Sequence, residues 1–283
     1  MIVSYYPGCS LESTASEYDQ SLRAVCGEMG IELRELDDWN CCGASSAHCT
    51  NEKLSVALPA RTLAIAQKHP EDLLVPCVAC FSRLRWAEKR IKDGKAPDME
   101  ISYAGKVPIR HAVDILGQDE PVEIIKKKIR KPLAGLRLVS YYGCLTVRPP
   151  DVTGYSDFEN PTDMDRLMEI TGAEIIDWPY KTECCGGSLA ISRPDLVVQL
   201  SGKLLSMVRE AGAEAVVVGC PMCHANLDTR QEEISQQIGE EFHVPIFYFT
   251  ELLGVAMGNP RAGQWLKKHI VDPRRLLANK NLI

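Results

Sequence analysis

No stretch of the sequence reaches the roughly 18 consecutive apolar residues that a membrane-spanning helix needs, so no membrane span is expected. The opening residues, Met1-Ile2-Val3-Ser4-Tyr5-Tyr6-Pro7-Gly8-Cys9, lack a basic segment and a long apolar stretch. That argues against a secretory leader and makes a cytoplasmic protein the expectation. Positive charge is short: 32 Lys and Arg against 38 Asp and Glu leave a net charge of −6. Phosphate binding needs a cationic surplus, so nucleic acid is not expected as a partner. Two cofactor signatures are missing as well. No Gly-x-Gly-x-x-Gly opens a helix for a flavin or nicotinamide, and no Cys-x2-Cys-x2-Cys-x3-Cys-Pro run is present. Electrons handled by this chain must come from elsewhere.

What is present is a chain of 283 residues, 45% hydrophobic and 25% charged, long enough for two domains with a core each. It carries 12 cysteines. In a chain this long, with no export signal, clustered thiols more often hold metal than form disulfides. Cys9 is followed after 31 residues by Cys41-Cys42, and after 34 more by Cys77-Val78-Ala79-Cys80. Cys144 is followed after 39 residues by Cys184-Cys185, and after 34 more by Cys220-Pro221-Met222-Cys223. Ten of the twelve cysteines thus fall into two copies of one pattern.

The likeness of the copies extends past the cysteines, which distinguishes a duplication from chance spacing. Val3-Ser4-Tyr5-Tyr6-Pro7-Gly8-Cys9 answers Val139-Ser140-Tyr141-Tyr142-Gly143-Cys144, and Val107 through Gly117 answers Val244 through Gly254. We expect an N-terminal domain over 1–135 and a C-terminal domain over 136–283. The basic run Lys126-Lys127-Lys128-Ile129-Arg130-Lys131 reads as a solvated connecting helix and loop. The basic segment from Asn259 reads as a solvated tail or as a docking element for an acidic partner.

Strand patterns alternate with helical ones in both halves. Ile2–Tyr6, Ile31–Leu36, Asp72–Val75 and Val107–Ile109 read as strands in the first, and Leu136–Tyr142, Glu174–Asp177, Ala215–Val218 and Pro245–Phe249 in the second. Glu17–Met29, Lys53–Lys68, Thr162–Thr171 and Pro194–Ala211 read as helices. The expected fold is α/β, with two pseudo-equivalent Rossmann-like repeats on largely parallel sheets. Every cysteine motif then lies just past a strand, so metal clusters are expected at the carboxyl edges of the strands. Cys77 and Cys220 would open helices, whose free N–H groups favour thiolate.

Five sulfurs per half are one more than a zinc tetrahedron or a cubane cluster uses. Zinc with an idle thiol, a thioredoxin-like dithiol and structural thiols stand as alternatives. A thiolate can bridge two irons, and Gly43 and Gly186 would ease the kink that points adjacent sulfurs one way. An opened iron–sulfur cluster therefore accounts for most of the pattern. Cys26 reads as a buried core thiol, and Cys49, opposite Ser192 in the other copy, as structural. His48 and His224 lie close to cysteine motifs and are candidate proton donors.

Cys, then Cys-Cys-Gly, then Cys-x-x-Cys, present twice, resembles the cysteine-rich CCG domain family, and over the chain to about residue 255 the B subunits of heterodisulfide reductases. The resemblance implies two noncubane 4Fe–4S clusters. Cys9, Cys41, Cys42, Cys77 and Cys80 would bind one, and Cys144, Cys184, Cys185, Cys220 and Cys223 the other. It implies two-electron cleavage of a disulfide, the mixed disulfide of coenzyme M and coenzyme B or a related one, between the clusters. It also implies partners: a C subunit with cubane iron–sulfur clusters and a flavin-containing A subunit. The stretch Gly43-Ala44-Ser45-Ser46-Ala47-His48 departs from the proline-containing form of the methanogen enzymes, which puts the substrate in question. Two other readings are an electron-relay subunit of a lactate, glycolate or succinate oxidoreductase, and a zinc-bound scaffold.

Overall fold

The computed structural model describes residues 1–283 and contains two four-stranded, all-parallel sheets of the same topology. In the first, β1 (Ile2–Tyr5), β2 (Glu32–Glu35), β3 (Leu73–Val75) and β4 (Ile109–His111) run in the order β2-β1-β3-β4. In the second, β5 (Arg137–Tyr141), β6 (Glu174–Ile175), β7 (Ala215–Val218) and β8 (Ile246–Tyr248) run β6-β5-β7-β8. The expected α/β class with two parallel repeats is what the chain adopts. The inner strands β3 and β7, Leu-Leu-Val and Ala-Val-Val-Val, are buried throughout, as strands covered on both faces must be. Edge strand β2, Glu-Leu-Arg-Glu, is charged, which discourages pairing with another chain.

Parallel neighbours require crossovers, and helices such as Ser16–Glu28, Glu52–Ala66 and Pro194–Glu210 supply them close to their expected limits. The last strand of each half departs from expectation. β4 begins at Ile109 rather than Val107, because Pro108 has no N–H for the ladder. β8 stops at Tyr248 because Phe249 already opens the helix Phe249–Ala256, with Glu251 accepting from the Tyr248 N–H at 2.9 Å.

The halves share an apolar core. Tyr18, on helix Ser16–Glu28, stacks on Tyr248 with centroids 4.3 Å apart, and Ser21 and Thr250 exchange a 2.7 Å hydrogen bond. The basic C-terminal segment differs from the solvated tail expected of it. Trp265, Leu266 and Leu277 are buried, Trp265 against Gly254, where a Cβ would meet the indole at 2.5 Å. Apolar spacing within the segment outweighed its charge, and its lysines bond the body: Lys280 donates to the Gly135 carbonyl at 2.6 Å and Lys268 bonds Ser16. The connecting helix Asp119–Lys128 buries Val122 and Ile125 and turns its lysines outward, as expected.

Candidate metal centre

Each half gathers its five expected cysteines at the carboxyl edge of its sheet. Cys9 follows β1, Cys41 and Cys42 follow β2, and Cys77, after β3, is the N-cap of helix Val78–Lys92, which carries Cys80. Cys9 and Cys41 sulfurs lie 3.7 Å apart, and those of Cys42 and Cys80 3.3 Å apart. The second half repeats this: Cys185 and Cys223 sulfurs are 3.6 Å apart, and Cys220 is the N-cap of helix Pro221–Asp228. Cys42, Cys77, Cys80 and their counterparts Cys185, Cys220, Cys223 form buried floors. Cys9, Cys41 and Cys184 are exposed and Cys144 partly so, which leaves each cradle an open rim.

Glycines shape the cradles. Gly8 and Gly143 have φ of +71° and +69°, and a Cβ on either would lie 2.9 Å from the sulfur of Cys80 or Cys223. A side chain would therefore fill the space that the fifth sulfur of each set needs. Gly43 and Gly186, at φ +72° and +82°, kink the chain after each cysteine pair as expected. Their N–H groups donate back to Cys41 Sγ at 3.4 Å and Cys184 Sγ at 3.3 Å. Thiol neighbours and these N–H groups favour thiolate at one rim cysteine of each cradle, Cys41 and Cys184. Hydrogen bonds from Cys42 and Cys9, with that of Gly43, hold Cys41 well below the usual thiol range. The bond from Cys144, aided by the N–H groups of Gly186 and Gly187, lowers Cys184 to about 6. The proton stays on the partner, so Cys42 is pushed up.

No group of three or more Cys, His, Asp or Glu side chains has the geometry of a single-ion site; Cys9 and Cys41 sulfurs lie 3.7 Å apart and Cys42 and Cys80 sulfurs 3.3 Å apart, with Cys41 adjacent to Cys42 in the chain. Five soft thiols gathered at one sheet edge are one more than a single zinc takes, and suit a core of several metal atoms.

The two cradles adjoin. The carbonyls of Pro76 and Gly219, each just before its Cys-x-x-Cys, share two donors. His111 Nε2 lies 2.9 and 3.2 Å from them, and the Tyr18 hydroxyl 3.4 and 3.3 Å. Carbonyls only accept, so Nε2 carries the proton, and Nδ1 accepts from the Val113 N–H at 3.4 Å. Burial pushes the His111 pKa down, which keeps the ring neutral. A Cβ on Gly219 would meet His111 Cε1 at 3.0 Å. Sequence reasoning missed this clamp, because Tyr18 sits in the first turn of a helix with no cysteine motif beside it and His111 answers Tyr248 in the other half; neither carries a repeated signature.

His48 is exposed on the short helix Ser46–Thr50 near the first cradle. Cys49 shares that helix and is exposed, which corrects its reading as a structural thiol: the helix is one turn at the surface, with only Ala47 buried. Cys26 is fully buried, as expected. His224 is buried and its ring is occupied by core partners. Nε2 lies 3.1 Å from the Ile246 carbonyl and 3.3 Å from His269 Nδ1, and the ring stacks on Tyr248 at 4.3 Å.

Comparison with known proteins agrees with this geometry. Over 280 residues, 96% of this chain and 98% of the relative, the sequence is 28% identical to the 8-methylmenaquinol:fumarate reductase membrane anchor subunit of Wolinella succinogenes. It is 26% identical over 270 residues, 90% of this chain and 89% of the relative, to the B subunit of the ferredoxin:CoB-CoM heterodisulfide reductase of Methanosarcina mazei. Both relatives are, as their names state, parts of larger assemblies. The crystal structure of a hypothetical protein from Helicobacter pylori superposes with a TM-score of 0.73 at 10% identity over 96% of this chain, which shows a shared fold. This chain spans 52% of that structure. The cysteine-rich CCG domain matches residues 3–85 and again 138–228, so the chain belongs to that family and carries its domain twice.

Proposed function

We propose that each cradle holds a noncubane 4Fe–4S cluster, one on Cys9, Cys41, Cys42, Cys77 and Cys80 and the other on Cys144, Cys184, Cys185, Cys220 and Cys223. On this reading the chain is the disulfide-cleaving subunit of a heterodisulfide-reductase-type complex. The observation that carries it is the clamp between the two Cys-x-x-Cys segments, in which His111 Nε2 and the Tyr18 hydroxyl both bond the carbonyls of Pro76 and Gly219, the residues just before Cys77 and Cys220. Cleaving a disulfide takes two electrons, and two one-electron centres held side by side suit that need. When bound, the clusters supply single electrons and thiophilic iron. The chain's own residues do the rest: buried sulfurs exclude water from the floors, open rims admit the substrate, and the Gly43 and Gly186 N–H groups hold charge on Cys41 and Cys184. Electrons would arrive from an iron–sulfur C subunit fed by a flavin-containing A subunit.

A second reading, an electron-relay subunit in a quinol- or fumarate-linked oxidoreductase, is favoured by the 28% identity to the Wolinella anchor subunit over nearly both full lengths. No helix here is long and apolar enough to cross a membrane. Anaerobic purification with its native partners, metal and acid-labile sulfide analysis, and assay against a panel of disulfides including the coenzyme M–coenzyme B form would separate the two. Iron with disulfide turnover supports the first reading. Iron that is reduced and reoxidised without disulfide turnover supports the second, and zinc without iron overturns both.

A further inference from the structure

The two cradles match residue for residue in their cysteines, yet differ in the charges beside them: Glu183 precedes Cys184 where Asn40 precedes Cys41, and a second difference lies on the helix after each Cys-x-x-Cys. Six residues after the first cysteine of each Cys-x-x-Cys, at the same point of the following helix, stand Arg83 in one half and Asn226 in the other. Asn226 Nδ2 donates to the Cys185 carbonyl at 3.1 Å and reaches Cys185 Sγ at 3.8 Å. Arg83 occupies the corresponding place in the first half, where Cys42 is the counterpart of Cys185; burial pushes its pKa down, and Cys42 and Cys49 act on it in the opposite direction. Its surroundings are unusual for an arginine. Nε is buried and has no hydrogen-bond partner. Arg85 and Arg90 on the same helix pair with Glu88 and Glu52, whereas Arg83 pairs with no carboxylate. An unpaired guanidinium held partly out of water is costly unless an anion faces it. The thiols that act on it are Cys42 of the first cradle and Cys49 of the neighbouring one-turn helix, so an anionic group bound in the first cradle would supply the charge it lacks.

We propose that Arg83 makes the two clusters inequivalent: its fixed charge raises the reduction potential of the N-terminal cluster above that of the C-terminal one, where neutral Asn226 stands in its place. The inference rests on the iron–sulfur reading above. An added electron makes a cluster more negative, so a nearby cation stabilises the reduced form more than the oxidised one, and partial burial strengthens the effect. The first electron delivered by an external reductant therefore settles in the N-terminal half, and the second in the C-terminal half. Each step moves one electron, and no bond forms or breaks.

The test is an EPR-monitored titration of the full-length, iron-loaded protein with dithionite, for wild type, Arg83→Gln, Arg83→Lys and Asn226→Arg. The N-terminal signal is identified as the one lost in Cys41→Ser. Arg83→Gln is expected to lower the reduced-to-oxidised ratio of the N-terminal cluster about tenfold at the wild-type midpoint, which for one electron is about 59 mV. The C-terminal midpoint should stay in place. Arg83→Lys should restore most of the shift, and Asn226→Arg should raise the C-terminal midpoint instead. A packing role alone would cost iron in both Arg83 variants and move no midpoint. Full iron in Arg83→Gln with an unchanged N-terminal midpoint, or with both midpoints moving together, overturns the proposal. Should Arg83→Gln fail to load iron, Asn226→Arg decides: an unmoved C-terminal midpoint overturns it. A wild-type protein without iron would overturn the parent reading as well, whereas loaded clusters of equal potential overturn this one alone.

Discussion

Gly143 offers a sharp test of how the second cradle is built. Its backbone lies at φ +69° and ψ +170°, a region that side-chain-bearing residues essentially do not enter, at a cost of about 1–3 kcal/mol. Alanine there would also set its Cβ 2.9 Å from Cys223 Sγ, closer than carbon and sulfur tolerate, so the thiol must leave its present place 3.6 Å from the Cys185 sulfur. With about 1 kcal/mol for that crowding, Gly143→Ala should cost roughly 2–4 kcal/mol, a large share of the ~5–15 kcal/mol that holds a typical domain. Gly135→Ala is the control: φ is +79°, but the space around its Cβ is open. Both variants would be followed by denaturant unfolding and by iron per chain. We expect Gly143→Ala to lose more stability than Gly135→Ala and to retain about half of the wild-type iron, while Gly135→Ala keeps its iron. Equal stability losses together with full iron in Gly143→Ala would refute the view that glycine makes room for the sulfur.

Two further outcomes follow from the buried network between the halves. Replacing His111 by Phe leaves the Pro76 and Gly219 carbonyls with Tyr18 as their only side-chain donor, and should cost about 1–3 kcal/mol. Adding Tyr18→Phe should cost more than it does alone, because the carbonyls then lose their last donor; strict additivity in a urea double-mutant cycle would sink the shared clamp. His269 should make stability depend on pH. Burial pulls its pKa down, but Glu251 at 2.9 Å, with Asp228 and Glu17 behind it, outweighs burial and holds the ring protonated up to about 9. Its neighbour His224 is pushed down by burial and stays neutral. A folded pKa above the unfolded value of about 6.5 means a contribution that is full below pH ~6.5 and fades as pH rises through about 9. That contribution is roughly 3 kcal/mol, and His269→Gln should flatten the decline. Parallel wild-type and variant profiles across that window would show that the pair carries no such linkage.

Spacing alone was enough to announce the duplication, the α/β alternation and the ten clustered cysteines. Covalent order is sufficient for this: a strand pattern followed by Cys, Cys-Cys-Gly or Cys-x-x-Cys puts sulfur at one edge of a parallel sheet however the rest of the chain packs. Reading charge alone failed at the C-terminal segment, since Trp265, Leu266 and Leu277 decide where it lies and their partners are distant in sequence. Reading Cys49 as structural failed because burial depends on what covers a one-turn helix, and nothing local says so.

Only tertiary structure decided that the two cradles adjoin, that Tyr18 and His111 fasten the loops before Cys77 and Cys220, and that the Nε of Arg83 is buried without a partner. The chain by itself determined which atoms are available for chemistry, because ligand type and local spacing are properties of consecutive residues. Which of those atoms meet, and what charge surrounds them, depends on contacts such as Tyr18 to Gly219, 201 residues apart, that exist only once both sheets have packed together.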